Sequence, residues 1–402
     1  MVRYTASVRC TKDKVTNQKT VNQYKLLSQV GQGTYSKVRW AEDGEQRCYA
    51  VKVYCKNSLA KQFVSRFDKD GASVVPLQER VDEELRILGD LNHRHVCSLE
   101  EVMDDPEHHK IYAVLEGLPG GQLMAWMVDS NAYSAQADPR LVKEHWRDAV
   151  HHGPCAANED SSEMVTFQEK LAAYLFRQLL EAVAYLHERG IIHKDLKPDN
   201  IMLSLPLPIA DSRFMRLLSL DGWPDVAAPR SVSPNVQQIP SSNASTANSN
   251  AGITEKDEEL IALLHRFPLA AKIGDFNTSA ACPQPDCLIF DAEGTNLFTP
   301  PECFDDHPSG IHGKPRDVWS LGCILFVMLF GRCPFWEESS IMLQLAIMSA
   351  EFIVPGGVIT TGADSLLHTM LAREPGQRPS AADVQRHAWF QTLGGCCEGD
   401  GE

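Results

Sequence analysis

Three short stretches in a fixed order constrain this 402-residue chain more than anything else in it: GQGTYSKV at 31–38, HKDLKPDN at 193–200 and KIGDF at 272–276. Around the first, YKLLSQVGQG and KVRWAED read as two strands joined by a glycine-rich turn, and CYAVKVY reads as a third strand carrying Lys52. ERVDEELRILGDL sets Val81, Leu85, Leu88 and Leu91 at helical spacing, which predicts an amphipathic helix. KIYAVLEGLP reads as a further strand. From KLAAYLFRQLLEAVAYLHERG onward the periodicity is helical, so the chain passes from a strand-rich part into a helix-rich part and belongs to the α+β class.

With 43% hydrophobic and 23% charged residues the chain can bury a large core. It has no apolar run of about 18 residues or more, and its start, MVRYTASVRC, carries neither a signal-peptide core nor Gly at position 2, so no membrane insertion and a cytoplasmic location are expected. The 12 cysteines form no CxxC pair and no zinc-like Cys/His spacing, and read as reduced thiols. Cys396 and Cys397 are a weak candidate for palmitoylation, because GG before them and EGDGE after them offer no membrane-binding surface. A net charge of −15 argues against nucleic acid or an anionic membrane as partner.

The chemistry starts at the glycines. Gly31 and Gly33 lack side chains, so their backbone can approach phosphates closely and offer N–H donors. A lone GxG is more often a turn, but Val38 and the AVK motif ending at Lys52 favour a nucleotide loop. The whole set resembles the signature of eukaryotic serine/threonine protein kinases: glycine loop, strand Lys, HKDLKPDN with Asp195 and Asn200, and Asp275.

That resemblance implies a bilobal fold, with a small β-rich lobe built on one main helix and a larger, mostly helical lobe. It also implies ATP and Mg²⁺ as cofactors and proteins as substrates. Val30, Gly31, Gln32, Gly33 and Ser36 would cover the nucleotide, with Ser36 standing where the family has its third Gly. Lys52 would hold the phosphates and pair with a helix carboxylate. Glu84 is favoured because Leu88 then lies one turn away on the buried face, and Glu83 is the fallback. Val38, Ala50 and Met202 would line the adenine slot, with Leu115 as gatekeeper and Glu116 and Leu118 in the hinge. Asp195 would take the proton of the attacking hydroxyl, Lys197 neutralise the transferred phosphoryl group, and Thr295 bond both. Asn200 and Asp275 would supply hard oxygen ligands to Mg²⁺. Leu88, Leu99, His193 and Phe276 would form the apolar spine, Glu302 and Arg378 an anchoring ion pair, and Asp317 a buried support under the catalytic loop.

Kinase-like sequence runs over 24–391, between a 1–23 extension and a 392–402 tail, with insertions at about 55–80, 130–165 and 203–268. The last is Ser/Asn/Pro-rich at its centre and reads as disordered, with helical periodicity in its flanks RFMRLLSL and DEELIALLHRF. Two motif positions depart together: Lys194 replaces the usual Arg, and DFG becomes Asp275-Phe276-Asn277, where Asn is expected to tolerate a left-handed turn. Ala292 occupies the usual phosphothreonine position, flanked by Asp291 and Glu293, which predicts carboxylates pairing with Lys194 without phosphorylation.

IYAVLEGLPGGQLM, LFGRCPF and HAWF are similar to the calcium/calmodulin-dependent protein kinase kinases and related upstream kinases, a group that also has an extra segment before the Glu helix. Gln122 replaces a Glu that basophilic kinases use to read an upstream Arg, which suits an upstream kinase acting on other kinases better than a basic-peptide reader, although Asp199 remains as an Arg reader. The tail GGCCEGDGE is acidic and too short for a calmodulin-binding helix. The alternatives left open are a calmodulin-dependent-group kinase with peptide-level specificity and an ATP-binding pseudokinase scaffold.

Overall fold

Strands rich in β-branched and aromatic side chains assemble the N-terminal part of the chain into one eight-stranded sheet. The computed structural model describes residues 2–33, 35–135, 166–167, 169–204, 269–282, 287–304, 310–357 and 359–394. The strands are β1 (Arg3–Thr5), β2 (Cys10–Lys12), β3 (Lys19–Val21), β4 (Tyr24–Gln32), β5 (Ser36–Glu42) and β6 (Cys48–Cys55), with β9 (Leu99–Asp104) and β10 (Lys110–Glu116). Their spatial order is β1-β9-β10-β6-β5-β4-β3-β2. The glycine-rich turn joins antiparallel β4 and β5 with Gly31 opposite Val38. On β6, Lys52 sits between Val38 of β5 and Ala113 of β10, in the middle of the sheet.

The segment before Tyr24 is woven into this sheet. β2 and β3 extend one edge, while β1 pairs in parallel with β9 at the other. Arg3, Thr5, Gln23 and Tyr24 converge on the carboxylate of Glu101, which is 1% exposed. Left unpaired, a carboxylate at that depth would be strongly destabilising, so these donors secure the N-terminal strands to the lobe.

Between the Lys strand and the helix, the 55–80 segment forms a short helix α1 (Lys56–Leu59) and a hairpin of β7 (Phe63–Asp68) and β8 (Gly71–Pro76). It runs directly into α2 (Leu77–Asp90), whose buried face is Leu77, Val81, Glu84, Leu85, Ile87 and Leu88. Leu91, read from the sequence as the end of that helix, lies past its last turn in extended backbone but is still buried.

The large lobe packs α3 (Glu169–Glu188) against α4 (Gly313–Phe330), which is buried along nearly its whole length. An αL glycine, Gly331 at φ 68°, ends α4. Then follow α5 (Ser340–Ser349) and α6 (Thr361–Met370). Short strands at Gly121–Gln122, Ile201–Leu203 and Ala271–Ile273 pair so that Ile201 faces Ile273. That register delivers the ends of the second and third sequence stretches side by side, with the Gly274 N–H donating to Asn200 O at 2.8 Å. One apolar core runs from Leu88 and Leu99 through Phe276 into α3 and α4, linking the lobes. Among the described residues no helix is long and apolar enough to cross a membrane. Most of the 130–165 and 203–268 insertions, including the Ser/Asn/Pro-rich centre and its flanks, and Cys396 and Cys397 lie outside the described residues.

Candidate active site

Lys52 Nζ lies 2.6 Å from Glu84 Oε1 and 3.0 Å from Asp275 Oδ1. Of the two adjacent carboxylates it is therefore Glu84 that reaches Lys52, while Glu83 pairs with Arg86 at 2.7 Å on the helix exterior. Tyr54 donates to the other Glu84 oxygen at 3.0 Å. Burial disfavours the Lys52 ammonium, but Glu84, Tyr54 and Asp275 outweigh it and hold the pKa well above the ordinary value, so the side chain stays charged. Burial likewise pushes the Asp275 carboxyl up, and Lys52 overrides it and keeps the group ionised. Three elements far apart in sequence thus meet on one ammonium.

The catalytic loop is a closed triangle. Thr295 donates to Asp195 Oδ1 at 2.7 Å, Lys197 Nζ reaches Thr295 Oγ1 at 2.8 Å, and Lys197 Nζ lies 2.9 Å from Asp195 Oδ2. Asn200 Nδ2 donates to Asp195 O at 2.8 Å and Oδ2 at 3.2 Å, which fixes the amide with its nitrogen committed and its oxygen on the other side. Beneath the loop, fully buried Asp317 accepts the backbone N–H groups of His193 and Lys194 at 3.0 Å each and meets His187 Nε2 at 2.9 Å. Burial raises its pKa, but the His187 hydrogen bond and charge bring it below the ordinary carboxylate value. The side chains of Asn200 and Asp275 each carry a hard oxygen of the kind a divalent cation takes. Among the described residues no group of three or more His, Cys, Asp or Glu is placed to hold a metal ion. Two oxygens leave the rest of an octahedral shell to waters and phosphates, which fits Mg²⁺.

One expectation is corrected. Asn277 does not take the left-handed turn; within these two motifs the left-handed residues are Asp275 at φ 57° and Lys194 at φ 69°. The backbone reverses at the Asp itself, so position 277 has no need of Gly, and its carbonyl instead accepts Arg80 Nε at 2.8 Å. Phe276 packs edge-on against His193 with ring centroids 5.0 Å apart, and Leu88 and Leu99 are buried in the same core.

Around the adenine slot, Leu115 faces Ala50 across the strands, Val38 faces Lys52, Met202 faces Lys272, and Leu118 is buried. Val30 and Gln32 lie on β4, Ser36 begins β5, and the Gly33 N–H bonds Ser36 O at 2.9 Å. The Glu116 carboxylate is already engaged, by Lys272 at 2.7 Å and by the Ser98 N–H at 2.7 Å. Its backbone N–H is also taken, by Ser98 O at 3.0 Å, which leaves its carbonyl rather than its N–H to serve a base. Lys272 was not singled out in the sequence, since its partner lies 156 residues away.

The activation segment is held by three cations. Lys194 Nζ bonds both Asp291 oxygens, at 2.8 and 2.9 Å, and lies 3.7 Å from Glu293. Arg80 of α2 grips Glu293 with two parallel bonds of 2.8 and 2.6 Å. Buried Arg316 bonds the carbonyls of Asp291, Glu293 and Lys194. Arg80 was missed in the sequence reading, although a basic residue one helical turn before Glu84 was a usable signal. In the large lobe Arg378 meets Glu302 at 2.6 and 2.8 Å. Gln122 donates to Asp199 O at 3.2 Å, and the Asp199 carboxylate accepts Tyr133 OH at 3.0 Å.

A β-rich lobe and a helical lobe with this Lys–Glu–Asp convergence between them define a kinase-like phosphotransfer centre. Residues 24–212 and 256–390 match the protein kinase domain, and the chain belongs to the protein kinase family. It is similar to the calcium/calmodulin-dependent protein kinase kinase of Caenorhabditis elegans, 24% identical over 381 residues that cover 92% of this chain and 52% of that protein. It is also similar to the serine/threonine-protein kinase ssp1 of Schizosaccharomyces pombe (27% identity, 96% of this chain, 45% of that protein). The serine/threonine-protein kinase GRIK2 of Arabidopsis thaliana matches at 25% identity over 92% of this chain and 66% of its own length. The chain therefore spans about half to two thirds of the length of these relatives.

Proposed function

We propose that this chain is a cytoplasmic serine/threonine protein kinase that transfers the γ-phosphate of Mg-ATP to protein hydroxyls, other kinases among its substrates. The observation that carries the reading is the Asp195–Thr295–Lys197 triangle facing the Lys52–Glu84–Asp275 cluster. Lys52 orients the phosphates. Asp195 accepts a hydrogen bond from the substrate hydroxyl and takes its proton as the oxygen–phosphorus bond forms, while the bond to the leaving ADP oxygen breaks. Lys197 offsets charge on the transferred group. Mg²⁺, when held by Asn200 and Asp275, supplies charge neutralisation at the phosphates. A pseudokinase scaffold would have no use for a proton acceptor held this closely.

Two observations support the upstream role. Gln122 carries no charge to read an Arg and donates to Asp199 O instead, so of these two positions only Asp199, one of whose carboxylate oxygens accepts Tyr133, keeps a charge for a basic peptide. The nematode relative is itself named a kinase kinase. The test is transfer of labelled γ-phosphate to protein substrates followed by phosphoamino-acid analysis. Label on serine or threonine supports the reading; ATP hydrolysis without transfer, or label on tyrosine, overturns it.

Activity should also be independent of loop phosphorylation, because Asp291 and Glu293 already occupy Lys194 and Arg80. Phosphatase-treated protein, verified by intact mass, should keep most of its transfer rate. Arg80→Ala should cost about fivefold, the equivalent of a half-buried pair worth on the order of 1 kcal/mol. A tenfold fall on dephosphorylation, restored by rephosphorylating the loop, would reject constitutive activity.

A further inference from the structure

The ten-residue helix α5, SIMLQLAIMS, carries no charged residue and buries only Leu343 and Ile347. On its opposite side Ile341, Met342 and Leu345 stand 69%, 51% and 55% exposed. Spacings of three and four put them on one stripe, and Met348 falls on the same stripe. A surface helix normally turns polar residues to water, so a continuous apolar stripe calls for a covering partner. Trp336, just before the helix, is also exposed, as are Glu337 and Glu338 between them.

Trp336, five residues before Ile341, ties the start of this segment to the mouth of the active site. Trp336 lies against Trp126 with ring centroids 5.4 Å apart, Trp126 lies 5.0 Å from Tyr133, and Tyr133 bonds the Asp199 carboxylate four residues from Asp195. α5 also packs on the Pro301–Cys303 turn that follows the activation segment. A protein whose serine or threonine sits at Asp195 would therefore extend over this face.

We infer that the outer face of α5, with Trp336, is a docking surface for the folded protein substrate, distinct from the groove that holds the phosphoacceptor segment. This rests on the kinase reading above and gives it a specificity determinant. The matching surface is an apolar patch rimmed by basic side chains, which complements Glu337 and Glu338 and a chain of net charge −15. A second copy of the same acidic chain would set like charges against each other. Three or four side chains also fall short of the roughly 800 Å² per partner of a stable dimer, whereas a transient substrate gains the rest of its contact in the active site.

The test compares two probes: an inactive kinase domain with a threonine in its activation segment, and a short synthetic peptide spanning that threonine. In the double variant Ile341→Ser with Leu345→Ser, KM for the intact domain should rise about tenfold with kcat unchanged, as for loss of interface anchors. KM for the peptide should stay the same. Glu337→Lys with Glu338→Lys should act in the same direction and steepen at low salt. All four positions are solvent-facing, and an unchanged melting temperature verifies the fold. Equal effects on both probes, or none on either, overturn the surface. Wild-type dimers that the apolar variant dissociates would assign the face to self-association and overturn the substrate assignment. If wild-type protein phosphorylates neither probe, the kinase reading itself fails and the surface with it.

Discussion

Asp195→Asn should lower the transfer rate by about 10²–10⁴ while leaving nucleotide binding largely intact. The substitution keeps size and shape, so the loop held from below by Asp317 and from the side by Asn200 has no reason to move. What disappears is an anionic oxygen able to receive a proton. Donors surround the carboxylate: Thr295 at 2.7 Å on one oxygen, and Lys197 at 2.9 Å and Asn200 at 3.2 Å on the other. An amide cannot accept from all of them, because one of its two terminal atoms is itself a donor. Lys52 and Asp275, proposed above to serve the nucleotide, keep their mutual contact, and Asn200 keeps its bond to the Asp195 backbone carbonyl at 2.8 Å. The check is single-turnover phosphoryl transfer alongside nucleotide affinity on the same preparation. Near-normal turnover by the variant would remove Asp195 from the chemistry, and equal loss of binding and transfer would assign it to the nucleotide site.

The parts of this site that could be read in the sequence are those whose geometry is local. Helical spacing ranks Glu84 above Glu83, because Leu88 lies one turn on and must face inward, and α2 sets Glu84 among its buried residues. The strand reading of the first stretches rests on β-branched and aromatic residues gathered in β4, β5 and β6, which are seven to nine residues long. The three strands before Tyr24 are three residues each, too short to carry a period, and β1 finds its partner β9 only through the fold. Arg80 with Glu293 and Lys272 with Glu116 were invisible for the same reason: the charges are common residue types, and their partners lie 213 and 156 residues away. The Asn277 expectation failed because a residue tolerant of left-handed backbone need not be where the chain turns. Asp275 makes the turn, held there by Lys52 and the loop it closes.

Burial of charge sets the second large effect. Arg378→Met should destabilise the protein by about 3–5 kcal/mol, the range for removing one partner of a buried ion pair. The Arg378 side chain is 0% exposed and that of Glu302 8%, and their contacts of 2.6 and 2.8 Å form a bidentate fork. Arg378 also donates to Ala372 O at 2.8 Å, Arg373 O at 2.9 Å and Pro315 O at 3.2 Å, and its guanidinium lies 4.9 Å from the ring centre of Trp319. Truncating it leaves one carboxylate and three carbonyls without their donor, in a place water does not reach. The pair also ties the Pro301–Cys303 turn to the helical core, so the loss should reach Thr295 upstream and lower transfer activity at temperatures where the lobe is still folded. Adding Glu302→Leu should recover part of the stability by removing the orphaned charge, though not the carbonyl bonds, giving a coupling of the sign expected for residues in direct contact. Denaturant unfolding of the two single variants and the double variant measures this directly. A loss near 1 kcal/mol or less from Arg378→Met, typical of a solvated pair, would show that water enters this junction and that the fork does not hold the lobe together.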